Sequence, residues 1–106
     1  MRFGLKEETI KAISGVFAQY TQIKKAVVFG SRAKGNYRDG SDIDICLFGE
    51  IDLPLLHKIE ESIDELNLPY TVDLVVYKRI KNKDLKEHID RVGISISLVH
   101  YNNFCR

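Results

Sequence analysis

Two aspartates, Asp42 and Asp44, lie two residues apart at the start of an apolar run, Ile43-Asp44-Ile45-Cys46-Leu47-Phe48. Upstream, Gly30-Ser31 follows another apolar run, Ala26-Val27-Val28-Phe29, and ten residues separate Ser31 from Asp42. Residues two apart on a strand point to the same face. Asp42 and Asp44 would therefore project together, with Ile43, Ile45 and Leu47 turned into a core. Parallel carboxylates repel, and either a divalent cation between them or contact with solvent relieves the repulsion. Mg²⁺ takes a few carboxylates along with phosphate oxygens and water. Taken alone, the pair also fits a solvated strand face.

A third carboxylate, Asp73, sits inside Thr71-Val72-Asp73-Leu74-Val75-Val76-Tyr77. Alternation puts Val72, Leu74 and Val76 on one face of this strand and Asp73 and Val75 on the other. Pairing with the strand of Asp44 would gather three carboxylates on one face, a site for one or two Mg²⁺ ions of the kind used in nucleotidyl transfer. The plainer alternative is a strand-end carboxylate bonded to a nearby Lys or Arg. Gly30-Ser31 offers close backbone approach, N–H groups at a helix start and a hydroxyl donor, all suited to phosphate. It also fits an ordinary turn. Arg32, Lys34 and Arg38 are nearby cations for phosphate charge, or else solvated side chains.

The elements that must position these groups are legible from periodicity. Ile10, Ile13, Val16, Phe17 and Tyr20 mark a helix near 6–20. Lys24 to Phe29 reads as a strand, with Ser31 as N-cap of a short helical turn that Gly35 ends. Asp42 to Phe48 is a second strand. Leu53 to Leu66 is a helix with Pro54 in its first turn, and Thr71 to Tyr77 is a third strand. Asn82 to Val92 is a helix closed by Gly93, and Ile94, Ile96 and Leu98 mark a last strand. The expected fold class is α/β (α+β), a small mixed sheet flanked by helices in the order α-β-α-β-α-β-α-β.

Bulk properties bound the rest. The 106 residues fit a single domain, 1–106, large enough to fold alone. A net charge of +1 provides no global field toward nucleic acid, so no direct nucleic-acid binding is expected. No apolar segment approaches the ~20 residues of a membrane span. Lys6, Glu7, Glu8 and Lys11 interrupt any apolar leader, and Cys46 and Cys105 make no disulfide framework. These features point to a reduced cytoplasm. His57, His88 and His100 lack metal-ligand spacing, and His88 reads as the edge of a helix face. Tyr37 reads as a loop tyrosine, and the Lys78-Arg79-Ile80-Lys81-Asn82-Lys83 cluster as a solvated helix start.

The combination Gly30-Ser31-Arg32-Ala33-Lys34-Gly35, then Ser41-Asp42-Ile43-Asp44, then Asp73 resembles the polymerase-β-like nucleotidyltransferase superfamily. Within it, the likeness is to the minimal prokaryotic nucleotidyltransferases, or MNT proteins. It covers nearly the whole chain. Cys46, where an aliphatic residue is common, and the polar tail from Asn102 depart from the pattern. The resemblance implies ATP as donor and AMP transfer with release of pyrophosphate. It implies that Gly30, Ser31 and Arg32 hold the nucleotide, together with Asp42 and Asp44. It assigns Mg²⁺ to Asp42, Asp44 and Asp73, with Asp73 also helping to deprotonate the acceptor hydroxyl. It further implies a partner, a helical HEPN ribonuclease toxin that the MNT protein neutralises, in some pairs by AMPylating a tyrosine. Larger members hold the acceptor on a second domain. Here another polypeptide or a second copy would hold it, giving a hetero- or homo-oligomer. The competing functions are a binding module that masks its partner without catalysis, and transfer to a small molecule such as an aminoglycoside.

Overall fold

The computed structural model describes residues 2–96, and the end of the predicted last strand, His100 and Cys105 lie outside the described residues. Among the described residues, four helices and four strands follow the predicted alternation: α1 (Glu7–Ala18), β1 (Ile23–Phe29), α2 (Gly30–Lys34), β2 (Ile43–Gly49), α3 (Leu53–Asp64), β3 (Val72–Val76), α4 (Lys83–Val92) and β4 (Ile94–Ile96). A 3₁₀ turn, Tyr77–Arg79, links β3 to α4. The strands form one sheet in the order β3-β2-β1-β4. It is mixed, because β1 runs antiparallel to β2 and β4 whereas β2 and β3 are parallel. A parallel pair needs a crossover, which α3 supplies.

Each face of the sheet buries its own core. Ile43, Ile45 and Leu47 of β2 are fully buried with Ile10, Ile13 and Phe17 of α1 and Ile59 and Ile63 of α3. Val72, Leu74 and Val76 extend this layer along β3. A register irregularity between Ile23 and Lys25 lets both Ile23 and Ala26 enter the same core despite their odd spacing. The opposite face carries Val27, Phe29 and Cys46, covered by Ile89 of α4 with Leu85 and Val75 beside it. This second, thinner layer is the face to which Asp44 and Asp73 belong.

Local signals set the helix limits. Asp52 caps α3 by accepting from the Leu55 N–H at 3.0 Å, one residue before Leu53-Pro54. Asn82 caps α4, accepting from Asp84 and Leu85. The Ser31 N-cap expectation is corrected. Gly30 adopts φ +74° and starts α2 itself, with Phe29 at the cap position, so Ser31 lies inside the helix. The left-handed Gly30 turns the chain from strand to helix one residue early. Gly35 ends α2 as expected, left-handed at φ 88° with its N–H on the Ser31 carbonyl.

Candidate active site

The parallel β2–β3 ladder pairs Asp44 directly with Asp73, and the antiparallel β1–β2 ladder pairs Asp44 with Phe29. Asp44 thus stands between a second carboxylate and the last residue before the Gly30 turn. Asp42 immediately precedes β2 and is exposed, as is Asp73, while Asp44 is half-buried. Burial, and then the charges of Asp73 and Asp42, push the Asp44 carboxyl above its usual range, partly offset by His88. A hydrogen bond to Asp73 acts in the same upward direction. The three predicted carboxylates therefore interact electrostatically. Among the described residues, however, no three His, Cys, Asp or Glu side chains are drawn close enough to hold a metal ion by themselves.

Gly30 touches this cluster. A Cβ placed there would lie 2.5 Å from Oδ2 of Asp44, so only glycine lets the turn close against the carboxylate. Its N–H donates to Nε2 of His88 at 3.2 Å, and the His88 ring packs edge-on to Phe29 with centroids 6.1 Å apart. Helical periodicity placed His88 beside Leu85 and Ile89 but carried no sign that α4 would set it on the Gly30 turn. The half-buried Ser31 follows at the second position of α2.

Arg32 is not brought to the carboxylates. It is 3% exposed, and its guanidinium is consumed within the chain. Nη1 donates to the Phe3 carbonyl at 2.7 Å, and Nη2 and Nε donate to the Ser41 carbonyl at 2.7 and 3.1 Å. The rings of Tyr37 and Tyr70 lie 5.3 and 5.0 Å from it. Its neighbours are two carbonyls and two aromatic rings, so its charge faces backbone oxygens rather than open solvent. Lys34 and Arg38 are exposed, and the Arg38 N–H closes the loop onto Ser41 Oγ at 2.8 Å.

The sequence profile described as "Polymerase beta, Nucleotidyltransferase" matches residues 11–99, which span the Gly30 turn, Arg32, the three aspartates and His88. The chain belongs to this nucleotidyltransferase family. A Haemophilus influenzae chain named "Probable protein adenylyltransferase MntA" is 29% identical over 94 residues, covering 87% of this chain and 82% of its own length. Among solved structures, a toxin–antitoxin complex with AMP-PNP superposes with a TM-score of 0.67 at 19% identity, covering 93% of this chain and 78% of the other. A complex of a tri-AMPylated Shewanella oneidensis HEPN toxin with its MNT antitoxin gives a TM-score of 0.66 at 15% identity, over 93% and 77% of the two chains. These structures share the fold of this nucleotidyltransferase. No described helix is long and apolar enough to cross a membrane.

Proposed function

We propose that residues 1–106 act as one nucleotidyltransferase domain that moves AMP from ATP to a hydroxyl, a tyrosine for preference, of a HEPN-type helical toxin, and that this transfer makes it the antitoxin. The carrying observation is the direct register of Asp44 against Asp73 beside the Gly30 turn. It accompanies membership of the nucleotidyltransferase family and likeness to a chain named as an adenylyltransferase. The fold-level neighbours that hold AMP-PNP or an AMPylated HEPN toxin support the choice of nucleotide and partner. A buried, unpaired Cys46 suits work in a reducing cytoplasm.

In this reading the Gly30-Ser31 turn receives the triphosphate, with the Ser31 hydroxyl as donor. Asp42, Asp44 and Asp73 would hold Mg²⁺, and the carboxylate crowding that adds to burial in raising Asp44 is the kind of charge excess a cation relieves. Mg²⁺ ordinarily draws its remaining ligands from phosphate oxygens and water, which suits a cluster that is incomplete without nucleotide. When bound, the ion would neutralise the leaving pyrophosphate and help align the incoming oxygen. Asp73, exposed at the outer strand, would accept the acceptor's proton, a role its exposure supports. Arg32 serves the site by holding the loop before Asp42 rather than by touching phosphate.

Incubation with the co-encoded partner, Mg²⁺ and ATP, followed by intact mass measurement of both chains, tests the proposal. One or more AMP additions to the partner, absent with Asp42→Asn/Asp44→Asn, are expected. Unchanged masses with a stable, neutralised complex would replace it with masking by complex formation.

A further inference from the structure

His88 comes from α4, more than fifty residues beyond the turn, yet it occupies the one Gly30 hydrogen-bond donor. That donor is the N–H a bare glycine turn would offer to phosphate. Two features fix the contact. The His88 ring is held edge-on against Phe29, and Asp44 Oδ2 fills the space where a side chain at Gly30 would stand. Gly30 therefore meets an acceptor at its N–H and a carboxylate where a side chain would stand.

We propose that His88 is a positioning residue for nucleotide binding: by accepting the Gly30 N–H it fixes the Phe29–Gly30 peptide plane, so that Ser31 and the amides after it, not Gly30, meet the triphosphate. The inference rests on the nucleotidyltransferase reading of this turn. The physical argument concerns preorganisation. A glycine peptide has the widest range of backbone conformations to lose, and ordering it at the moment of binding would weaken nucleotide affinity. With the imidazole in place, that ordering precedes the ligand. The same bond ties α4 to the start of α2, so the second core layer and the phosphate turn hold each other in register.

The test uses the full chain and two variants. His88→Gln keeps an acceptor at the distance of Nε2, and His88→Phe keeps the ring against Phe29 but has no acceptor. ATP affinity with Mg²⁺ is measured by calorimetry, which needs no turnover, together with KM and kcat for transfer to the partner. The expected result is a roughly tenfold loss of ATP affinity, and a matching rise in KM, for His88→Phe, with kcat changed less and His88→Gln near wild type. Amide hydrogen exchange at Gly30 supplies a readout independent of activity. It should be slow in the wild type and His88→Gln, and at least tenfold faster in His88→Phe. Equal behaviour of the two variants, or a fast-exchanging Gly30 amide in the wild type, would overturn the inference. A wild type that binds ATP but transfers nothing would sink the transferase reading while leaving His88 to be judged by affinity. A wild type that binds no ATP sinks both.

Discussion

Asp44 and Asp73 occupy opposite positions of a parallel ladder, so their side chains emerge side by side from neighbouring strands. Like charges directly across a sheet are destabilising. The raised Asp44 carboxyl, driven first by burial and then by Asp73 and Asp42, records the cost. The native chain holds the Asp44 proton more tightly than the unfolded chain does. This contribution is therefore most favourable at low pH and is lost as pH rises through the raised value. Asp44→Asn removes it and can still donate to Asp73. The variant should lose AMP transfer by on the order of 100-fold or more while melting higher than the wild type at neutral pH. The stability difference should widen as pH rises from the ordinary carboxylate range through the raised Asp44 value. Thermal melts of both proteins across that range check it, and a variant less stable at pH 7 would refute it.

Gly30→Ala is expected to damage fold and activity together. The new Cβ would have to displace Asp44 Oδ2, and φ +74° strains any L side chain. A stability loss of about 1–3 kcal/mol is expected from the strained backbone and the displaced carboxylate. Gly35→Ala, also at positive φ but with open space around it, is the control for conformation alone. Urea midpoints and transfer rates of the two should separate, with Gly30→Ala losing activity beyond its loss of stability.

Arg32 should behave as a structural clamp. Arg32→Ala leaves the Phe3 and Ser41 carbonyls without their donors and should cost about 2–4 kcal/mol. Arg32→Lys keeps the charge but cannot span both carbonyls with a planar fork, and it should recover only part of that loss. Denaturation curves decide the matter. A lysine variant of wild-type stability that only weakens ATP binding would return Arg32 to the phosphates.

Cys46 should be chemically silent in the native chain. Burial and the Asp90 charge push its thiol up to about 12, only partly offset by Lys25, and its side chain is fully covered under α4. Iodoacetamide at neutral pH should leave Cys46 unmodified until denaturant is added, as peptide mapping would show. Rapid native labelling would mean that α4 opens from the sheet.

The sequence by itself determined the elements and their faces. Period-two alternation placed Ile43, Ile45 and Leu47 opposite Asp44, and Val72, Leu74 and Val76 opposite Asp73, because strand geometry leaves a side chain only two directions. Period-three and period-four spacing did the same for α1, α3 and α4. What alternation cannot state is which strands are neighbours. That Asp73 stands level with Asp44 follows from parallel pairing through α3, a long-range choice made by burying two cores at once. Arg32 and His88 lie on the same side of that divide. Arg32, beside the proposed phosphate turn, reads as a free cation in one dimension, yet it is drawn inward because two partly buried carbonyls, of Phe3 and Ser41, take donors that only tertiary folding brings near. His88 reads as a helix-edge residue until α4 packs across β1 and sets its ring on Gly30. Local periodicity fixes the direction in which a side chain leaves the backbone, and only the packing of distant elements fixes what it meets.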